Sequence, residues 1–77
     1  MNHKIDLHGL THKEAISKTE MLLIGASFDK AMVAEIITGK SKQLQDKIIT
    51  ELLDTYKFDY YIPSYNTGMI IVTQNEL

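Results

Sequence analysis

The chain has 77 residues and a net charge of −2, and it contains neither cysteine nor arginine. This length suits one domain, residues 1–77, near the lower limit for a core without a cofactor. Without cysteine there is no disulfide, no thiolate metal site and no cysteine nucleophile. The acidic balance means that any binding of DNA or RNA has to be weak and local. No apolar run approaches the ~18 residues of a membrane span, and no secretory signal is visible, so we expect a cytoplasmic protein without membrane contact.

A strand, a glycine turn and a capped helix are predicted at the start of the chain. Residues 4–8 alternate polar and apolar, which predicts a strand with Asp6 and His8 on one face. Gly9 permits a turn, and the segment 11–14 (T-H-K-E) has the form of a capping box at a helix start. The core face of this helix consists of small and aliphatic residues and one threonine: Ala15, Ile16, Thr19, Leu22, Leu23 and Ala26. Gly25 and the segment 27–29 are expected to end this helix.

A second strand, turn and helix follow. Residues 31–37 form an apolar run broken only by Glu35, which predicts a buried parallel strand. Thr38 and Gly39 form the turn, and Ser41 is a good N-cap for the next helix. The core face of that helix consists of aliphatic residues and one tyrosine: Leu44, Ile48, Leu52, Leu53 and Tyr56.

Two more strands are predicted at the end of the chain. Residues 58–62 are rich in aromatic and β-branched side chains, and Pro63 after them fits an edge position, because proline cannot donate to a central ladder. A hairpin connection over residues 64–68 leads to the last strand, residues 69–74.

The order βαβαββ predicts an α/β fold, a two-layer sandwich with a mixed four-stranded sheet and both helices on one face. Ligands of such sheets bind beyond the carboxyl ends of the parallel strands. Both glycine turns and the loop 65–68 are therefore expected at one rim, where helix N-termini favour a phosphate. The other sheet face is left open. The second strand is apolar on both faces, with Val33 and Ile37 on one and Met32, Ala34 and Ile36 on the other. The apolar side chains on the uncovered face are either shielded by their neighbours or form a docking surface for a protein partner or a second copy.

Asp6 and His8 are the pair that we expect to carry chemistry. Two residues apart on a strand, their Cα atoms would be roughly 7 Å apart. That spacing suits a phosphodiester, with His8 as general base or acid and Asp6 orienting it or a water. The alternatives are a solvated strand face, or an Asp6 that bonds backbone amides of the turn beside a functional His8. Two ligands are too few to assign a metal site, so binding of Mg²⁺ or Mn²⁺ stays open.

Other polar residues of the rim are candidate phosphate contacts. Lys40 and Lys42 begin the second helix and Lys13 the first, where a cation opposes the helix dipole unless an anion is bound. The alternative is simple solvated charge. His12 lies near the rim in the first turn of its helix. The tyrosines of the last hairpin either pack in the sheet or stack on bases: Tyr60, Tyr61 and Tyr65.

Three segments, in this order, resemble the motifs of the small MutS-related (Smr) domain family. The L-D-x-H-G-like motif of that family stands here as Ile5–Gly9, the T-x-G-x-G-like turn as Ile37–Ser41, and the glycine-containing start of the final strand as Asn66–Val72. The match covers essentially the whole chain. The resemblance implies a fold like the C-terminal domain of bacterial translation initiation factor three, with sheet order 1-2-4-3.

The resemblance also implies nucleic-acid binding, with nicking or ribonuclease activity in some relatives, and its catalytic pair corresponds to Asp6 and His8. Together with the rim geometry it gives the candidate nucleic-acid contacts: Gly9, His12, Lys13, Thr38, Gly39, Lys40, Ser41, Lys42, Asn66 and Gly68. The chain departs from the family pattern at Ser41, where a second glycine is usual, and at residues 42–44, where a His-Ser pair is common. These departures favour the alternative of a DNA- or RNA-binding or protein-interaction module without efficient endonuclease activity.

Overall fold

The computed structural model describes residues 2–28 and 31–75, and their elements follow the order βαβαββ. In chain order the elements are β1 (Asn2–Asp6), α1 (His12–Ala26), β2 (Ala31–Ile37), α2 (Lys42–Ile48), β3 (Asp59–Tyr61) and β4 (Met69–Asn75). A π-helical segment, Ile49–Leu53, continues α2. The four strands form one sheet in the order β1-β2-β4-β3, so the predicted fold class and strand order are confirmed.

The pairing of the central strands decides which loops meet. β1 runs parallel to β2, with Ile5 opposite Ile36. β4 lies antiparallel between β2 and β3, with Ile37 opposite Met69. Because β2 ends where β4 begins, the turn after β2 and the hairpin before β4 meet at the same rim as the turn after β1.

The core lies between the sheet and the helices. Alternate residues of β2, namely Met32, Ala34 and Ile36, are buried against the helices, whereas Val33 and Ile37 are half-buried on the open face. The helices bury aliphatic side chains in the same cluster: Ala15, Leu23, Ala26, Leu44, Ile48, Leu52 and Leu53. Each large one of these stabilises the fold by about 1.5–3 kcal/mol relative to exposure. The predicted core faces are thus confirmed, apart from one residue of the second helix.

The capping box of α1 forms as the sequence predicts. The Glu14 amide donates to Thr11 Oγ1 at 3.2 Å, and Glu14 Oε1 accepts from the Thr11 amide at 3.1 Å. As predicted, the helix ends between Gly25 and the segment 27–29, with Ala26 as its last residue. Asp29 itself lies outside the described residues. Ser27 closes it, with its amide donating to the Leu23 carbonyl at 2.9 Å. Burial of Leu23 and Ala26 keeps the last turn helical despite the glycine.

Tyr56 is the residue that departs from the predicted core face. The chain widens into the π-helical segment, where the Asp54 amide donates to the Ile49 carbonyl at 2.8 Å, and this changes the helical phase beyond Leu53. Tyr56 is consequently 48% exposed. Its hydroxyl donates to Glu20 Oε2 at 2.6 Å, and this hydrogen bond to a carboxylate raises the pKa of Tyr56.

Two strands are displaced or shortened relative to the sequence prediction. The first covers residues 2–6 instead of 4–8, and the third covers only Asp59–Tyr61. Phe58 and Ile62, on either side of β3, are half-buried against the core, so packing holds them where strand pairing does not. None of the described helices is long and apolar enough to cross a membrane.

Candidate functional site

The first glycine turn follows β1 and is held mainly by bonds within itself. The Leu7 amide donates to the Ile37 carbonyl at 3.0 Å, which is the last link to β2. Beyond it, the His8 amide donates to Asp6 Oδ1 at 3.0 Å, and Gly9 has φ +81°, a conformation that glycine adopts without steric cost.

His8 therefore lies in a turn, and the prediction that it shares a strand face with Asp6 is wrong. The alternation of polar and apolar residues continues past the point where the chain turns. In that turn the His8 amide donates to the Asp6 carboxylate and the Leu10 amide donates to the Leu7 carbonyl. The contact that Asp6 makes is to the main chain of His8. Asp6 therefore has the alternative role predicted for it, in which its carboxylate accepts from a backbone amide of the turn.

The second glycine turn follows β2 and is bonded to the hairpin before β4. The Thr38 and Gly39 amides both donate to the Gly68 carbonyl, at 2.8 and 3.0 Å, and the Thr38 hydroxyl donates to the same oxygen at 3.1 Å. A Cβ on Gly68 would lie 2.8 Å from the Gly39 carbonyl oxygen. Gly39 itself has φ +66°. The second turn and the hairpin loop are thus in contact through their backbones, which confirms that the hairpin loop joins the rim.

Gln45 is the residue of this region that the sequence reasoning missed. It is buried, and its Nε2 donates to the Thr67 carbonyl at 3.0 Å and to Thr38 Oγ1 at 3.4 Å. It therefore fastens α2 to both the second turn and the hairpin. The signal in the sequence is its helical spacing, since Gln45 shares the face of Ile48 and Leu52 and is the polar residue on that core stripe.

The turns after β1 and β2 enclose an open cleft of about 410 Å³, here called the rim cleft. Its floor is apolar: Leu7, Leu10, Ile37 and Leu44. Its walls carry most of the predicted site residues: Asp6, His8, Gly9, His12, Thr38, Gly39, Lys40 and Ser41. The structure thus brings together the two residues predicted as catalytic and the two predicted turns, and it adds His12 to the same wall.

A second cleft, here called the hairpin cleft, lies on the other side of the second turn. It has a volume of about 360 Å³ and shares residues 39–41 with the rim cleft. Lys42, Gln45, Ile62 and Thr67 complete its lining. The second turn is therefore a ridge between two clefts, with Lys40 and Ser41 belonging to both.

Four predicted contacts lie outside the rim cleft. Lys13 lines shallow surfaces along α1 beside Glu14 and Glu20, away from the turns. Lys42 forms an ion pair with Asp46 at 3.4 Å. Asn66 Oδ1 accepts from the Gly68 amide at 3.0 Å, so both hairpin residues support the second turn. Lys42, Asn66 and Gly68 therefore adjoin the rim cleft without lining it.

The charge at the rim comes from side chains more than from the helix starts. Glu14 brings a carboxylate to the N-terminus of α1, where hydrogen bonds from the Thr11 backbone and then from its hydroxyl lower the pKa of Glu14. That helix end thus already holds an anion of its own. The groups of the rim cleft that would attract a phosphate are the ammonium of Lys40 and the imidazoles of His8 and His12.

A divalent metal is not supported by the ligand set. Within residues 2–28 and 31–75, no group of three or more histidine, aspartate or glutamate side chains is close enough to hold a metal ion. Asp6 also uses one oxygen for the His8 amide. The described residues of the rim therefore do not supply the oxygen ligand set that Mg²⁺ or Mn²⁺ requires.

The open sheet face is mixed in polarity. Its central row runs Lys4, Glu35, Ile71 and Tyr61 across the four strands. Ile71 is only 5% exposed although no helix covers this face. Neighbouring long side chains on either side account for this burial, which favours shielding over a bare docking surface.

Comparisons with protein-family models, with curated proteins and with solved structures find no match to this chain.

Proposed function

We propose that this chain is an Smr-like domain that binds the phosphate backbone of RNA or DNA at the rim cleft. The observation that carries the proposal is the convergence of His8, His12 and Lys40 around one cleft. Two imidazoles and an ammonium supply donors for the oxygens of a phosphodiester. The apolar floor of the cleft gives contact for a sugar.

The shape of the cleft fits a chain-like ligand better than a small one. It is open at the surface and continues over the second turn into the hairpin cleft. A small-molecule site would bury most of its ligand, whereas a polynucleotide needs a surface path with phosphate donors at intervals. The net charge of −2 keeps such binding weak and local.

Phosphodiester cleavage is the second candidate function, and the observation in its favour is that Asp6 and His8 line the same wall. In this scheme the imidazole of His8 takes a proton from the attacking hydroxyl or gives one to the leaving oxygen. Asp6 accepts a hydrogen bond from the His8 amide and so fixes the backbone of the turn that carries the ring. Binding without efficient cleavage stays the leading proposal. The reason is that Asp6 accepts its hydrogen bond from the main-chain amide of His8 and not from the imidazole, so this bond does not orient the ring.

The test of binding is a titration of labelled RNA and DNA oligonucleotides at several salt concentrations, with Lys40→Ala as the variant. Loss of one phosphate contact is expected to weaken binding to every sequence and to reduce the slope of log affinity against log salt by about one. The matched control is Lys57→Ala, which removes the same charge at the opposite end of the domain, beside Asp59 and Thr73. Equal affinity and slope for the two variants would contradict the proposal.

The same oligonucleotides decide the second candidate. Cleavage by the wild type that disappears in His8→Ala, measured at protein concentrations that saturate the weaker binding of the variant, is the result expected for a catalytic His8. Binding without cleavage selects the non-catalytic module. Cleavage that survives in His8→Ala would rule out the proposed chemistry.

A further inference from the structure

We infer that the nucleic acid bound at the rim is single-stranded, and that Tyr65 stacks on one of its bases. This inference rests on the proposed function and adds the class of substrate. Tyr65 is 79% exposed, although it is a large aromatic residue in a domain with a small core. An exposed aromatic ring beside a phosphate-binding path is the arrangement by which proteins hold unpaired bases.

The loop that carries Tyr65 is fixed to the rim. The Asn66 amide donates to the Pro63 carbonyl at 3.1 Å. This bond closes a β-turn over residues 63–66, in which Tyr65 is the third residue. Pro63 is buried. On the far side, Thr67 and Gly68 are bonded to Gln45 and to the second turn. The ring is therefore presented by an anchored loop, which reduces the entropy lost on binding.

The distance along the rim suits a short strand of nucleic acid. Gly68 touches Gly39, and Tyr65 lies three positions before Gly68, a span of at most about 10 Å. That span equals the rise of about three stacked nucleotides. A strand with a phosphate at Lys40 would cross the hairpin cleft beside Thr67 and bring a base to Tyr65.

Tyr61 adds a second exposed ring at the same end of the hairpin. It is the last residue of β3 and is 54% exposed, on the open face opposite Ile71. Tyr61 directly precedes Ile62, and Tyr65 lies two residues before Thr67; Ile62 and Thr67 both line the hairpin cleft. Bases in a duplex are paired and stacked on each other, so an aromatic ring on the protein surface gains a partner only from an unpaired strand.

The experiment compares one oligonucleotide as a single strand and as a blunt duplex, in RNA and in DNA, by fluorescence anisotropy. The wild type is expected to prefer the single strand. Tyr65→Ala should weaken single-strand binding by roughly 5- to 150-fold, the range for one stacked base, and leave duplex binding unchanged. Tyr65→Phe keeps the ring and should bind like the wild type.

The matched control is Phe28→Ala, which removes an aromatic ring that is 86% exposed at the end of α1 far from the rim, and it should not change affinity. Equal binding of single strand and duplex, with Tyr65→Ala like the wild type, would overturn the inference and leave the proposed function standing. Absence of binding to every form would overturn the proposed function and the inference together. The RNA and DNA arms show which sugar is preferred, and a Tyr65 effect in either one supports the inference.

Discussion

The two glycine turns at the rim look alike in sequence but are held in different ways. In the first turn, Asp6 bonds an amide two residues on, and Thr11 bonds Glu14 three residues on. In the second turn, Thr38 bonds Gly68, thirty residues away. The first turn is thus mostly a local structure, whereas the second is part of the framework that joins β2, α2 and the final hairpin.

This difference separates function from stability at one site. Side chains of the first turn face the rim cleft and can change without loss of long-range bonds. Changes in the second turn disturb the contact between two backbones and a buried glutamine, so they should alter folding as well as binding. The next five substitutions test this contrast, from the largest expected effect to the smallest.

Gly68→Ala should have the largest effect on stability. The new Cβ would lie 2.8 Å from the Gly39 carbonyl oxygen, and because the obstacle is backbone, one of the two loops has to move. We expect a loss of about 2–3 kcal/mol in the free energy of unfolding, as for an overpacked core, measured by urea denaturation. The control is Gly25→Ala in α1, where a Cβ meets nothing within 4 Å, and which should stabilise the domain by about 0.5–1 kcal/mol. A Gly68→Ala protein as stable as the wild type would show that the second turn and the final hairpin are not in fixed contact.

Gln45→Leu should come next. It removes the donors to Thr38 Oγ1 and the Thr67 carbonyl and leaves that carbonyl without its bond from Gln45. The expected cost is about 1–2 kcal/mol, typical of a buried group left unpaired, with a midpoint shift in the same urea experiment. Gln43→Leu, at an exposed position of α2, is the control and should change stability little. Equal effects of the two variants would speak against a framework role for Gln45.

Thr11→Ala tests the local bonds of the first turn. Loss of this N-cap should cost about 1 kcal/mol, while Ser17→Ala, at an exposed site within α1, should be neutral or slightly stabilising. A fully neutral Thr11→Ala would mean that the cap contributes nothing.

The pH dependence of the same cap follows from Glu14. Its hydrogen bonds from Thr11 lower its pKa in the folded state below the ordinary value of 4.5. Its contribution is therefore fully present above 4.5 and is lost as the pH falls through the folded-state value. Glu14→Gln should be less stable than the wild type at neutral pH, and this difference should shrink in acid. A constant difference across that range would contradict the assignment.

His8→Ala should have the smallest effect on stability. The side chain is exposed in the turn, and the bond to Asp6 comes from the backbone amide, which alanine retains. We expect a change within about 0.5 kcal/mol, with weaker binding of oligonucleotides. Unfolding of this variant would place His8 in the framework and remove the contrast with the second turn.

Much of the fold could be predicted from the sequence because its signals are local. The capping box at Thr11, the positive-φ glycines 9 and 39, and the aliphatic spacing of the helices each depend on a few neighbouring residues. The order of elements then limits the topology to few choices. The family resemblance supplied the strand order 1-2-4-3, which the sheet confirms.

The features that escaped prediction depend on partners distant in sequence or on competition between two local bonds. Gln45 is recognisable as a bridge only once Thr67 is known to lie opposite. His8 lies outside the strand because local bonds of the turn, from the His8 amide to Asp6 Oδ1 and from the Leu10 amide to the Leu7 carbonyl, prevail over the alternating pattern. Tyr56 lies outside the predicted core because the helix changes to a π-helical form. The spacing of the apolar residues does not predict that change.

The most direct test of a phosphate-binding rim is an NMR titration of the folded domain with an unstructured oligonucleotide, following each backbone amide. We expect the largest shift changes at Gly9 and at residues 38–41, which line the rim cleft, with little change at Lys57 at the opposite end. Changes concentrated at Lys57 or on the open sheet face at Val33, with the rim unaffected, would contradict the proposal.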